Sequence, residues 1–576
     1  MILGPKAVSF QRYTILFKER NKMMKKILAL VLALLMVLAV FVGCGKKGTG
    51  ADDETSNDAP AETTTAADDG DNDDDAQGDD DDDEEVSVAP GLDTGSIYDD
   101  MSMTDLFDPE NFIGSDIPDS RDYGGYQFQL LGDTTNVNLE FLAESDGDIV
   151  KDAVVERQEY IEEFLNITIN ITETEGGYYN MEGYASEIQN ASGAGNPFDL
   201  ALAYNLIPPV VAAKGLSKDL ADSDNLNLLE TEKPYWGKEI KKEIMIGGRI
   251  FWMSDNSSWN NIRNMLCIYV SNDLFSKHNE GKDKSDLYKL VYEKDWTLDA
   301  MLLLMSESYE NTNTTEGENA AGVDDLDTFG LQAAESNPWL DTWFYAAGFR
   351  YTKQNAKGTY DWTLADAPEV SFINWWHEKL GSQDVDKSDG VYARMFMDNR
   401  SMFTLSSVGM AENKIEIDFT VLPMPYYKSD IKYDYSTPFS NTYSSWLIPK
   451  AATTEAYERS ATVLELLAAE GNRRLAPRYF EVKLKRQLGA DDLDMQKMFN
   501  LIRNSIVFDL GYLYGSSLTV EDLNSPGSYL EVFINLRRIW NGGGTGNYSN
   551  ITTVWEKIGP GATTKLNNLM VDILDY

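Results

Sequence analysis

Histidine and cysteine are almost missing from this chain: its 576 residues hold two of each. So few thiols exclude a disulfide framework, and so few imidazoles exclude a His-rich metal site. A Ser-His or Cys-His device would have to use His278 or His377, and both read as surface or packing residues. Cys267 lies inside Met265-Leu266-Cys267-Ile268-Tyr269-Val270, where a lone thiol reads as a small buried hydrophobe. G-x-S-x-G, H-E-x-x-H and phosphate-binding loops are absent. Asp324-Asp325-Leu326-Asp327 hints at a calcium loop but lacks the Gly and terminal Glu of one. No metal or cofactor is expected. Basic residues are scarce too, 49 against 95 acidic, for a net charge of −46. Such a chain repels nucleic acid and anionic membranes, and anionic ligands are disfavoured.

What is present begins at the N-terminus. Met24-Lys25-Lys26 precedes an unbroken apolar run, Ile27 to Val42, of 16 residues. That is shorter than the ~20 a spanning helix needs. A basic start, an apolar stretch and small residues before a cut site mark a secretory signal. Phe41-Val42-Gly43-Cys44 resembles a bacterial lipobox, with Phe41 where Leu is usual. The resemblance implies acylation of Cys44 as the new N-terminus; an uncleaved anchor is the alternative. Both put the rest of the chain outside the membrane, on the extracellular face. Residues 1–22 precede a complete signal and read as an over-extended gene start. Residues 1–43 are thus extension and signal peptide. Residues 44–95 are an acidic linker; 51–100 hold 21 Asp and Glu and no Lys or Arg. With so few apolar side chains the linker is expected to be disordered and extended by self-repulsion.

The folded body starts near Arg121 and is long enough for two lobes. Strands are expected over 126–131, 167–171 and 198–204, with helices over 148–165 and 184–191 between them. This β-α-β-α-β order predicts a parallel sheet flanked by helices, with ligands at the strands' carboxyl ends, Gly132 to Thr135 and Tyr204-Asn205. Further strands are expected over 244–253, 265–270, 415–422 and 443–449. Thr297 reads as a helix N-cap, Pro368 opens a helix to Leu380, and 454–470 is amphipathic. Beyond Gly471 the chain reads as largely helical. No internal repeat is visible.

The order of segments over 121–576 resembles the extracellular solute-binding proteins of bacterial ABC importers, carbohydrate-type family 1. The residues carrying it are Tyr123-Gly124-Gly125-Tyr126-Gln127-Phe128, Lys233-Pro234-Tyr235-Trp236, Val270-Ser271-Asn272-Asp273-Leu274-Phe275 and Asp418 to Pro425. Phe396 to Phe403 departs from the family pattern, with Asn399 in a glycine position. The resemblance implies an α/β, two-lobed periplasmic-binding-protein-like (type II) fold. One lobe would comprise 121–270 plus 403–446, the other 271–402 plus 447–576, with crossings near Val270-Ser271, Met402-Phe403 and Trp446-Leu447. It implies a monomeric receptor, not an enzyme, that closes on a carbohydrate and delivers it to a membrane permease. A receptor for a peptide or other polar solute, and a surface glycan binder without a transporter, are the alternatives. A secreted glycosidase would need a carboxylate pair, which spacing does not single out.

Sugars present flat C–H faces ringed by hydroxyls, so a site for them needs aromatic platforms beside amides and carboxylates. On that logic the candidate ligand contacts are Asp133, Thr134, Tyr204, Asn205, Trp259, Glu335, Asn337, Trp339, Trp343, Asn441 and Trp446. For each Trp the competing role is packing of a lobe core.

Overall fold

The computed structural model describes residues 114–576, except 228–232, 238–242, 312–326, 334–338, 387–392, 414, 429–434, 441, 481–492, 524, 526 and 533–550. The signal peptide, Cys44 and the acidic linker lie outside the described residues, as do Glu335, Asn337, Asn441 and Asp324 to Leu326.

The chain opens as its periodicity predicts. Strand β1 (Tyr126–Asp133) leads into helix α1 (Thr134–Glu140), then α2 (Ile149–Leu165), β2 (Ile167–Thr174), α3 (Met181–Gly193), β3 (Leu200–Tyr204) and α4 (Ile207–Ala213). Asp148 caps α2, accepting from Val150 N at 2.9 Å and Lys151 N at 3.3 Å, and Asn166 ends it in the left-handed region. Val150, Val154, Ile161 and Leu165 line its buried face. Each such side chain adds ~1.5–3 kcal/mol on leaving water. β1 pairs parallel with β2 and with β3, as the β-α-β order requires. Strand β11 (Ser444–Leu447) completes this sheet, antiparallel to β3. The sheet order is β11-β3-β1-β2.

From helix α5 (Trp259–Asn264) the chain enters strand β4 (Leu266–Ser271) of a second sheet. Helices α6 (Asn272–His278), α7 (Lys284–Tyr292) and α8 (Leu298–Leu304) follow, then β5 (Phe329–Gln332), α9 (Trp339–Ala346), the hairpin β6 (Thr352–Gln354) and β7 (Tyr360–Trp362), and α10 (Ala367–Leu380). Thr297 caps α8 as expected, its hydroxyl accepting from Ala300 N at 3.0 Å. Strand β8 (Val385–Asp386), α11 (Arg394–Met397), β9 (Ser401–Ser407) and β10 (Phe419–Leu422) complete the mixed order β10-β4-β9-β5-β8.

Helix α12 (Thr454–Glu470) has its expected face, but the fold buries most of its residues. Helix α2 packs on one side. On another, Glu465 accepts from Tyr235 Oη at 2.6 Å and Trp236 Nε1 at 2.9 Å. Helix α13 (Leu493–Asn504) packs on β10. Strands β12 (Thr519–Glu521) and β13 (Tyr529–Glu531) form a hairpin where helix was expected. Helix α14 (Ile551–Asp575) touches both cores: Val554, Ile558 and Ala562 join the core around the second sheet. Leu566, Leu569, Met570 and Ile573 join the core around the first. The changeover falls between Ala562 and Leu566, just after Gly559-Pro560-Gly561.

Three features differ from the sequence expectation. Residues 244–253 form no strand: Gly247 and Gly248, at φ 56° and 86°, close a turn between Ile246 and Arg249. Only Phe419–Leu422 of the expected strand 415–422 is extended. The lobe boundaries interleave differently, since β9 and β10 belong to the second sheet and α12 packs on α2 of the first. The segments linking the sheets run side by side at 264–266, 437–440 and 505–507. Leu266 N donates to Pro438 O at 3.0 Å, Ser440 N to Asn264 O at 2.7 Å, and Thr437 N to Ser505 O at 2.7 Å. The crossings therefore lie away from Val270, Met402 and Trp446, at the entry to β4, before β11 and just after α13.

Candidate functional site

A cavity of about 620 Å3 opens where these crossings meet the first lobe. Helix α1 contributes Thr135 and Leu139, and α5 contributes Asn260, Arg263 and Asn264. The end of β9 and the turn after it bring Ser406, Ser407 and Met410. Ser440 and Thr442 close the side nearest β11. The volume falls in the ~300–1,000 Å3 range of small-molecule sites. Eight of the described lining side chains carry an amide or a hydroxyl, beside the apolar Leu139, Met397 and Met410, and no described carboxylate or aromatic ring lines it.

A buried polar network holds this wall in place. Asp133 caps α1, its carboxylate accepting from Thr135 N at 3.1 Å and from Asn136 Nδ2 at 2.6 Å. Burial raises its pKa, and the Asn136 bonds oppose that. Asn260 Nδ2 donates to Asn136 Oδ1 at 2.5 Å and to Thr442 O at 2.8 Å. Asn264 Nδ2 donates to Asn260 Oδ1 at 2.8 Å, while its own Oδ1 accepts from the hydroxyls of Thr442, at 2.8 Å, and Ser440. Behind α1, the buried Glu140 lies 3.4 Å from Arg157 and accepts from Asn260 N at 2.9 Å. Asparagine is a poor helix former. Of the three in α5, Asn260 and Asn264 make these bonds, and Asn261 accepts from Ser444 N at 2.7 Å and donates to Asp255 O at 2.7 Å.

The sequence-predicted residues divide into two groups. Asp133 and Thr134 stand at the start of α1, beside the cavity wall. Trp446 is buried; its Nε1 donates to Asp255 Oδ2 at 3.1 Å and its ring meets Phe141 edge-on at 6.0 Å. Trp259, also buried, lies behind Arg263, whose guanidinium carbon is 5.9 Å from the ring centroid. Asn205 is fully buried, and its N donates to Tyr443 O at 3.1 Å. Tyr204 is buried beside it. Trp343 is elsewhere: it packs on Trp376, centroids 4.8 Å apart, in the second core. Trp339 opens the same helix, α9. Sequence reasoning missed Arg263, Asn264, Ser406, Ser407 and Met410, because β4–β9 pairing alone brings them together. The polar run Asn260-Asn261-Ile262-Arg263-Asn264 was the available signal.

Among the described residues, no cluster of His, Cys, Asp or Glu could hold a metal ion, and no helix is long and apolar enough to cross a membrane.

No family model matches this chain, and no curated protein does. Solved structures do resemble it. One is the ABC substrate-binding protein Lmo0181 of Listeria monocytogenes in complex with cycloalternan, at 12% identity and TM-score 0.41, over 78% of this chain and 98% of that one. Another is the sugar-binding protein MalE of Xanthomonas citri, at 12% identity and TM-score 0.45, over 77% and 97%. A third is the galacto-N-biose/lacto-N-biose I-binding protein of the Bifidobacterium longum ABC transporter, at 10% identity and TM-score 0.43, over 79% and 99%.

Proposed function

We propose that this chain is the solute receptor of an ABC importer, anchored by a lipid on Cys44 at the outer face of the cell membrane, and that it captures an oligosaccharide. The observation that carries the reading is the cavity itself: a wall with eight amide and hydroxyl side chains and, among the described residues, no carboxylate, set where three crossings join two α/β lobes. Hydroxyl-rich solutes are matched by such donors and acceptors. Crossings bundled at one edge let the lobes move as bodies about them. The sequence resemblance over 121–576 points the same way. Thr134, beside the wall, and the buried Asn205 are retained as ligand contacts. The permease is the partner that this reading requires, and a monomer suffices for it.

A second reading has its own support. No aromatic platform stands among the described residues of the wall, and amides serve a peptide backbone as well as a sugar ring. Thermal unfolding of the Cys44→Ala chain against oligosaccharides and peptides separates the two. A ligand at ~100 times its Kd raises stability by ~2.7 kcal/mol. Stabilisation by a glycan without its breakdown supports the receptor. Stabilisation by peptides alone favours the second reading, and glycan breakdown rules out a pure receptor. Incorporation of labelled palmitate, lost in Cys44→Ala, tests the anchor.

A further inference from the structure

The charge of the cavity wall runs against that of the molecule. Residues 101–576 carry 73 acidic and 40 basic side chains. Yet among the described residues lining the cavity the ionised group is Arg263, about one third exposed. Its Nε stands 3.2 Å from Glu412 Oε1. Glu412 is itself fixed, accepting from the Tyr479 hydroxyl at 2.8 Å. Trp259 lies under the guanidinium. One edge of the group is thus held, while Nη1 and Nη2 donate no hydrogen bond to any described residue. Gly409 makes this placement possible: a Cβ there would stand 2.9 Å from the Arg263 carbonyl oxygen. The turn after β9 can therefore close on α5 only with glycine at that position.

A guanidinium with its two terminal amino groups turned loose is a fork that matches a carboxylate bidentately. A neutral solute filling the cavity would instead strip water from those groups and return less. Resting on the receptor reading above, we propose that the captured solute carries a carboxylate, as an oligosaccharide of uronic acids does, and that Arg263 pairs with it. The negative body does not forbid this. Net charge slows the approach of an anion, while the local wall decides what is held.

Calorimetric titration of the full chain tests the idea. The probes are di- and trisaccharides of galacturonate, glucuronate and mannuronate, their methyl esters, the matching neutral oligosaccharides, and glutamyl tripeptides. The expected result is that one uronate binds and its ester binds about ten- to a hundred-fold more weakly, the range of a charge-assisted pair. R263Q should lose that same factor for the acid and nothing for the ester. R263K should keep part of it. S407D, which leaves the Glu412 pair intact, should weaken the acid as well, and its unchanged unfolding midpoint would exclude misfolding. Equal affinity for acid and ester, or a neutral glycan whose binding ignores R263Q, overturns the inference and leaves the receptor reading standing. Glutamyl peptides that bind alone and lose affinity in R263Q keep the carboxylate and overturn the sugar. Failure of every carboxylate probe at millimolar concentration overturns the inference outright.

Discussion

The core of the second lobe and the wall of the cavity are built from different materials. The core is aromatic: Trp343 on Trp376, Phe344 stacked on Tyr351 at 5.2 Å, and Phe372 edge-on to Tyr427 at 4.9 Å. The wall is mixed: asparagine, serine and threonine stand beside Leu139, Met397 and Met410, with a single arginine among its described residues. In this protein tryptophan marks where the chain is filled, and amides mark where it is open. A composition rich in aromatics therefore says little about where a ligand sits.

The sharpest way to test that division is Trp376→Ala. It should cost ~3–5 kcal/mol in denaturant unfolding, while the folded fraction binds ligand unchanged. Altered affinity there would mean that the core reaches the site. Asn260→Ala should cost less, ~1–3 kcal/mol, by orphaning Asn136, Asn264 and the Thr442 carbonyl. Unlike the tryptophan change it should also weaken binding at least ~10-fold, because Thr442 and Asn264 line the cavity.

Glu531 tests a buried carboxyl outside the cavity wall. Burial pushes its pKa up to about 7, against a hydrogen bond from Tyr178 at 3.4 Å. The folded state therefore holds this proton over pH 4.5 to 7, where the unfolded chain has released it. Stability contributed by that proton is full below pH 4.5 and falls as pH rises towards 7. Glu531→Gln should flatten this part of the profile, read as the difference from the parent chain in urea midpoints across pH. The smallest effect is expected from Thr453→Ala. Its hydroxyl accepts from Ala456 N at 3.2 Å to cap α12, so the loss should be ~1 kcal/mol in stability, with none in binding.

The legible parts of the fold were those whose signals are local. The helix over 149–165 announces itself by Asp148 and its apolar face, and β1 to β3 by their alternation or β-rich runs. The strand expected over 244–253 fails for an equally local reason, two adjacent glycines at positive φ. The lobe boundaries were hidden because β11 returns to β3 across more than 200 residues, which no periodicity records. The site was half legible. The start of α1 and the loop at Ser440 to Thr442 follow from strand ends. Ser406, Ser407 and Arg263 become neighbours only through the antiparallel register that sets Leu266 opposite Ser407.

Helix α14 carries a consequence for how such a chain comes to be. Its last 25 helical residues seal both cores, and its end is tied down, with Lys450 Nζ donating to the Tyr576 carbonyl at 2.9 Å and Arg249 Nη1 to that of Leu574 at 3.2 Å. A nascent chain leaving the ribosome N-terminus first can build strands and helices, yet neither core is closed until α14 has been made. Assembly thus waits for that helix. Closure of the two cores is coupled in time, because one helix serves both.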